Sequence, residues 1–281
     1  MADSSRPVIK YGVKHLRFKE EKVSGYRLCQ NKKAENPYFI ENVSTNIFSI
    51  EELCYYMYHN PALLDATFVN QNLTDWVGTE LGLVRLASAM NRALTENESL
   101  SGFVLPAFRE ISYLTYEEIK EYTALLEKLA HASVPVRIKM KGDALVRCGK
   151  HFGAIDAYRL AIEEARTSVK DTVFLSSLWH NKGTAEMKMM LYGEGLASFE
   201  KALLLDDTKE NRMTYLTALL ITRPSGKAEE EISRRSFDPG LVSEAEEKIR
   251  LIRQSDEGEV PDHPDEYLAG LTQQYHNATG T

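Results

Sequence analysis

Two stretches in the second half of the chain determine the expected fold: residues 138–161, IKMKGDALVRCGKHFGAIDAYRLA, and residues 179–202, WHNKGTAEMKMMLYGEGLASFEKA. Gly142 and Gly183 are 41 residues apart, and other small or aromatic residues recur at the same offset. The matched positions are Gly142 with Gly183, Gly149 with Met190, Ala154 with Gly195, Tyr158 with Phe199 and Ala161 with Ala202. Small residues let two helices approach closely, and an aromatic ring fills the space beside them. The two stretches therefore predict two successive antiparallel helix pairs.

This order of residues resembles the tetratricopeptide repeat, a helix-turn-helix unit of about 34 residues. Trp179 stands four residues before Gly183, as the signature tryptophan of that repeat stands before its glycine. The signature positions are taken by Ile138, Gly142, Leu145, Gly149, Ala154, Tyr158 and Ala161, and then by Trp179, Gly183, Tyr192, Gly195, Phe199 and Ala202. The resemblance implies a short α-solenoid over residues 135–222, with about two and a half tetratricopeptide-like (TPR-like) repeats.

The chain departs from the signature at several positions. Lys141 and Lys182 stand where the family has leucine, and Asp207 replaces the closing proline. The 41-residue period adds about two helical turns to the usual repeat, which preserves the orientation of the apolar faces. Residues 38–58 also resemble the opening of an uncharacterised group of repeat proteins from anaerobic Gram-positive bacteria, which implies a source but no activity.

In proteins with this repeat, the first helix of each pair lines a concave face that binds a protein or a peptide. The resemblance therefore implies a partner-binding face composed of Lys139, Asp143, Val146, Arg147, Ser177, His180, Asn181, Thr184, Met187, Lys188, Asn211, Thr214 and Ala218. Lys139, Arg147 and Lys188 can meet carboxylates, and Met187 offers an adaptable apolar contact. The alternative is a helix face that contacts only solvent.

In the rest of the chain, apolar patterns and the residues that begin or interrupt helices and strands indicate the expected elements. Short apolar bursts between Tyr26 and Ser49 predict two or three strands, and Ser49 with Glu52 forms a capping box that begins a helix. Helices are predicted over 72–77, 81–94, 100–112 and 116–129, with Pro106 kinking or dividing its segment. The expected regions are a flexible extension at 1–24, a mostly helical domain with a small β-hairpin-like element at 25–134, the repeats at 135–222, closing helices at 223–254 and an acidic tail at 255–281 that is disordered apart from a turn or two around 266–275. The last closing helix is expected over 243–254, with Ser243 and Glu246 as its capping box. The codons of residues 19–23 could contain a ribosome-binding sequence and an alternative start, which suggests a natural start near Val23.

Two groups of side chains in this scheme are predicted to serve packing. Cys148, beside Gly149 in the turn of the first repeat, is expected to be a small packing residue and not a reactive thiol. Tyr55, Tyr56 and Tyr58 are expected to belong mostly to the core, with their hydroxyls at solvent, although a binding surface is the alternative.

Composition narrows the class of protein. The chain has 281 residues and a formal net charge of −7, which argues against binding nucleic acid or anionic membranes through bulk charge. Cys29, Cys54 and Cys148 are too widely spaced for a disulfide framework or a CxxC zinc site. No stretch approaches the roughly 18 apolar residues of a membrane span, and no signal peptide is recognisable. We therefore expect a cytoplasmic protein.

The sequence contains none of the phosphate-loop, dinucleotide-binding, HExxH or GxSxG motifs, and its seven histidines lack partners at metal-ligand spacing. We therefore predict a non-enzymatic scaffold or adaptor that needs no cofactor. One alternative is an enzyme or enzyme-regulatory domain with its site between the N-terminal region and the repeats. Another is a tetratricopeptide-type regulator that senses peptides. The oligomeric state is left open.

Overall fold

The computed structural model describes residues 32–96, 98–168, 171–256 and 264–279, and its fold is mainly α-helical, as predicted. The predicted extension at 1–24 and the burst at 26–29 lie outside the described residues. The elements are β1 Tyr38–Ile40, β2 Thr45–Ile47, α1 Ile50–His59, α2 Gln71–Thr79, α3 Val84–Thr95, α4 Leu100–Glu110, α5 Tyr116–His131, α6 Val134–Arg147, α7 His151–Ser168, α8 Thr172–Lys188, α9 Tyr192–Leu205, α10 Lys209–Thr222, α11 Ser225–Arg234, α12 Pro239–Asp256 and α13 Pro264–Thr279. Short 3₁₀ turns occur at Glu41–Val43 and Pro61–Leu63.

The two strands form a small antiparallel hairpin that leads into α1. Tyr38 lies opposite Ile47, and Ser44 takes a left-handed conformation between the strands. Ser49 then caps α1 in the predicted manner: its hydroxyl accepts from the Glu52 amide, and the Glu52 carboxylate accepts from the Ser49 amide. The capping box therefore fixes the direction in which the chain enters the helical region.

Helices α1 to α5 surround one apolar core. Phe108 packs edge-on to Tyr122, and the Tyr122 hydroxyl donates to the Met57 carbonyl at 2.5 Å, which fastens α5 to α1. Burial raises the pKa of the Tyr122 phenol. Pro106 lies inside α4, which continues without a break, so of the two predicted outcomes, a kink or a division, the division was wrong.

Helices α6 to α9 form the two predicted antiparallel pairs, α6 with α7 and α8 with α9, and α7 also packs on α8. A Cβ atom on Gly142 would lie 2.7 Å from the Tyr158 ring, and one on Gly183 would lie 2.8 Å from the Phe199 ring. Cβ atoms do not approach other heavy atoms this closely, so only glycine fits against either ring without a shift. The predicted role of these glycines at the helix crossings is therefore confirmed.

The chain divides into two compact units, one ending at Asp206 and the other beginning at Asp207. This division differs from the predicted regions, since α10, the expected half repeat, belongs to the second unit. There α10 packs against α12 around Leu216, Leu241 and Ala245. The Glu231 carboxylate accepts from Arg235 and Arg234, which lowers its pKa to about 2.

Two expectations for the C-terminal region were wrong. Helix α12 begins at Pro239 and not at Ser243, because the Asp238 carboxylate caps it by accepting from the Leu241 amide at 3.0 Å. Helix α13 spans 16 residues of the tail, where we expected disorder apart from a turn or two around 266–275. Within the described residues, no helix combines the length and apolar character needed to cross a bilayer.

Candidate functional site

The predicted partner-binding face has a carboxylate at its centre. Asp143 on α6 accepts three hydrogen bonds: from Lys139 Nζ at 2.8 Å, from the Tyr158 hydroxyl at 2.7 Å and from Asn181 Nδ2 at 2.9 Å. Lys139 lies one turn earlier on α6, whereas Asn181 lies on α8. Three of the predicted residues are therefore brought together, and they join the first helices of successive pairs.

The fourth member of this cluster, Tyr158 on α7, was missed as a site residue. Burial and the neighbouring Asp143 charge raise the pKa of its phenol, so the hydroxyl remains a hydrogen-bond donor at neutral pH. The sequence contained a signal: a ring packed on Gly142 carries a hydroxyl that must find a partner when it is buried. The Asn181 amide and the Lys139 ammonium both donate to Asp143. The main contribution of the cluster is therefore to hold the α6–α7 pair against the α8–α9 pair.

Two equivalent cations extend the face beyond this cluster. Arg147 ends α6 and Lys188 ends α8, 41 residues later, and both are exposed. Neither forms a salt bridge within the described part of the chain. Cations at helix C-termini interact favourably with the helix dipole, which is a structural role that needs no partner.

The remaining predicted residues of α6 and α8 are half-buried. The hydroxyls of Ser177 and Thr184 donate to carbonyls of their own helix, those of Phe174 and His180. The His180 ring lies edge-on to Phe199, with 5.6 Å between centroids. Met187 covers Gly195, where an added Cβ would lie 2.8 Å from its sulfur. Val146 is likewise partly buried against the core.

The three predicted residues on α10 belong to the second unit. Asn211 and Ala218 are buried, with exposed fractions of 8% and 3%, and only Thr214 is partly accessible. Side chains this buried leave a partner little surface to contact, which argues against Asn211 and Ala218 as members of a partner-binding face.

A buried polar cluster lies within the α8–α9 pair. The Lys182 ammonium donates to Glu186, and the Ser198 hydroxyl donates to the same carboxylate at 2.6 Å. The exposed fractions of Glu186 and Ser198 are 3% and 2%. A solvent-borne substrate cannot reach these groups, so their contribution is to packing.

A cavity of about 430 Å³ lies between the hairpin, α1 and the turn that joins α6 to α7. Its lining is mostly apolar, with several polar groups, and comprises Ile40, Val43, Thr45, Asn46, Ile47, Glu52, Tyr55, Tyr56, Asn60, Cys148 and Lys150. The Cys148 thiol donates to Asn60 Oδ1 at 3.4 Å, and burial raises its pKa despite the nearby charges of Arg147 and Lys150. A thiol that stays protonated is a poor nucleophile.

The tyrosines of α1 differ from the expectation. Tyr55 is exposed and packs against His59, with 4.3 Å between ring centroids. Tyr56 is buried, but so is its hydroxyl, which makes no hydrogen bond. The predicted place of the Tyr56 ring in the core is therefore confirmed, and Tyr58 packs against the same core. The expectation was wrong for the Tyr56 hydroxyl, which is not at solvent, and for Tyr55, which lies outside the core.

The described side chains contain no group of three or more His, Cys, Asp or Glu residues that could hold a metal ion. Comparison of the chain with protein-family models, with curated proteins and with solved structures gave no match.

Proposed function

We propose that the protein is a binding scaffold whose α6–α8 face holds an acidic peptide segment of a partner protein. The observation that carries the proposal is the pair Arg147 and Lys188, two exposed cations at equivalent positions of successive repeats without carboxylate partners in the described structure. Between them, the Asp143 cluster fixes the spacing of α6 and α8. A rigid spacing reduces the cost of ordering the face when a partner binds.

The resemblance to tetratricopeptide repeats supports this proposal, since that family uses the same face for peptides. The glycine crossings at a common 41-residue offset are a second support, because they give α6 and α8 equivalent positions in their pairs. A cytoplasmic location is part of the same proposal, and it is consistent with widely spaced cysteines, of which Cys54 and Cys148 form no disulfide among the described residues.

A peptide-display selection tests the proposal. We expect random peptides selected on the wild-type protein to be enriched in Asp and Glu. Their binding should be lost in the double variant Arg147→Glu and Lys188→Glu, while helicity and melting temperature stay nearly unchanged. It should also weaken as the salt concentration rises towards physiological values, where the Debye length falls to ~8 Å.

The matched control reverses the same number of exposed cations elsewhere, at Arg85 and Lys120. It produces the same change in net charge, so it should weaken peptide binding much less. A selection without acidic enrichment would contradict the proposal, as would selected peptides that bind the two double variants equally well.

A further inference from the structure

The turn between α8 and α9 exposes four consecutive large apolar residues. They are Met189, Met190, Leu191 and Tyr192, with exposed fractions between 41% and 74%. Turns usually consist of small and polar residues. Single apolar side chains at a surface are common, whereas a contiguous group of them is typical of an interaction site. We refer to these four residues as the apolar turn.

The equivalent turn of the first pair is polar and mostly covered. Cys148, Gly149, Lys150 and His151 stand 41 residues before the four residues of the apolar turn. The Cys148 thiol donates to Asn60 at the end of α1, and Gly149 is the exposed residue of the four. The first turn therefore packs beside another part of the chain, whereas the apolar turn presents its side chains to solvent.

The backbone at the centre of the apolar turn favours a residue other than methionine. Met190 has a φ of 59°, in the left-handed region where glycine or asparagine is the usual residue. Gly149 takes the equivalent position with a φ of 70°. Methionine at this position lowers stability, and with 74% of its surface exposed it recovers little through burial. Its flexible apolar side chain is well adapted to contact with a partner.

A cation borders the apolar turn. Lys188, the last residue of α8, directly precedes it and is one of the two exposed cations that carry the proposed binding of an acidic segment. Consecutive Cα atoms are about 3.8 Å apart, so the Cα atoms of Lys188 and Met190 are at most about 7.6 Å apart. An extended peptide covers that distance in two or three residues. A segment that pairs with Lys188 therefore reaches the apolar turn.

The acidic residues nearest in sequence to Lys188 interact with other groups. Glu186 is buried and accepts from Lys182. Glu194 lies in the first turn of α9, where a negative charge interacts favourably with the helix dipole. The surface around Lys188 and the apolar turn thus matches a segment that combines acidic and apolar residues.

We infer that the apolar turn is a second subsite of the α6–α8 face and holds a bulky apolar residue of the partner. The inference rests on the proposed binding of an acidic segment by Arg147 and Lys188, and it specifies the chemistry of that segment. A carboxylate of the segment pairs with Lys188. An apolar residue about two positions away along the segment packs on Met190 and Tyr192.

Calorimetric titration of the full chain with two synthetic peptides tests the inference. The first peptide is Gly-Gly-Asp-Glu-Asp-Phe-Leu-Gly-Gly. In the second, Asn and Gln replace Phe and Leu, so the two peptides carry the same charge. The first should bind the wild-type protein about 10-fold more tightly, since burial of one large apolar side chain contributes a factor of this order. The double variant Met190→Asn and Tyr192→Gln should bind both peptides with the lower affinity.

The matched control is the double variant Val84→Asn and Tyr116→Gln. It removes an aliphatic residue and a tyrosine that are also exposed, and Tyr116 begins α5 as Tyr192 begins α9. This control should retain the wild-type preference for the first peptide. Asparagine tolerates the left-handed conformation of residue 190, so the variant of the apolar turn should keep a melting temperature close to that of the wild type.

The inference is overturned if the wild-type protein binds the two peptides equally well, or if the variant of the apolar turn keeps the preference for the first. A failure of the proposed function gives a different result: the double variant Arg147→Glu and Lys188→Glu would then bind each peptide as tightly as the wild type does. Absence of binding of both peptides to the wild-type protein would overturn both proposals.

Discussion

The α6–α7 and α8–α9 pairs share the same crossing but differ in what they bury beside it. In both, a glycine of the first helix contacts an aromatic ring of the second: Gly142 with Tyr158, and Gly183 with Phe199. Leu145 and Ala157 of the first pair are apolar, whereas the equivalent residues of the second pair are Glu186 and Ser198. The contact between glycine and ring is therefore the same in both pairs, whereas the neighbouring residues are apolar in the first pair and polar in the second.

The difference between the two buried regions is related to the carboxylate partners of two equivalent lysines, Lys141 and Lys182. Lys141 reaches outside its pair and donates to Asp65 at 2.6 Å, near the Pro61–Leu63 turn. Partial burial works to raise the pKa of Asp65, but the hydrogen bonds from Lys141 and Thr67 lower it overall. Lys182 instead donates to Glu186 within its own pair. A lysine at this position of the repeat thus acquires a carboxylate partner in either case, from a neighbouring region or from its own helix.

Removing the internal carboxylate should produce the largest effect. Glu186→Leu leaves the Lys182 ammonium, 14% exposed, without its partner and deprives Ser198 of its acceptor. Breaking a buried ion pair in this way costs about 3–5 kcal/mol. Urea unfolding monitored by circular dichroism would measure the loss.

The matched control replaces the whole polar cluster with apolar residues. The triple variant Lys182→Leu, Glu186→Leu and Ser198→Ala introduces the apolar residues of the first pair at two positions and an apolar residue of similar length at the third. Its stability should return close to that of the wild type, since an apolar core of similar volume replaces a buried ion pair at little cost. A triple variant as unstable as Glu186→Leu would show that the polar cluster is needed for the packing of this pair.

Enlarging a crossing glycine should produce the next largest effect. Gly183→Leu places a side chain where even a Cβ lies 2.8 Å from the Phe199 ring and 3.1 Å from the Gly195 carbonyl. We expect a loss of about 1–3 kcal/mol from overpacking, measured by thermal and urea unfolding. Gly193→Leu is the matched control, since a Cβ at Gly193 meets no atom within 4 Å. Equal losses at the two positions would refute the crossing.

Exchanging the residues in the turns of the two pairs should produce the smallest change in stability. Gly149 has a φ of 70°, and the equivalent Met190 has a φ of 59°, a conformation that favours glycine. Met190→Gly should therefore stabilise the protein by about 0.5–1 kcal/mol, once the greater freedom of glycine in the unfolded chain is subtracted. Gly149→Met should destabilise it by a similar amount. The melting temperatures of the two variants measure these changes. A lower melting temperature for Met190→Gly than for the wild type would contradict the prediction.

Local signals in the sequence sufficed for the hairpin, the capping box of α1 and the two crossings, because each depends on residues close together or at a fixed offset. Helix α13 also had a signal that the composition of the tail obscured: Pro264 at its first position, followed by Asp265 and Glu266 in its first turn. Composition alone was a poor guide there.

The polar clusters could not be predicted from local patterns. Asp143 receives Tyr158 from 15 residues away and Asn181 from 38 residues away, and such contacts depend on how two pairs stack. Lys182 and Glu186, four residues apart on one helix, have the spacing of an ordinary surface ion pair. Only the packing of α9 over them, with Ser198 as third partner, buries them.

The measurement that tests the repeated crossing most directly is a nuclear Overhauser experiment on protein with labelled glycine, phenylalanine and tyrosine. If both pairs are the same unit, the Hα protons of Gly142 should show cross-peaks to the ring protons of Tyr158. Those of Gly183 should show equivalent cross-peaks to the Phe199 ring, since each ring lies in contact with its glycine. Cross-peaks at one crossing and none at the other would contradict the common 41-residue architecture.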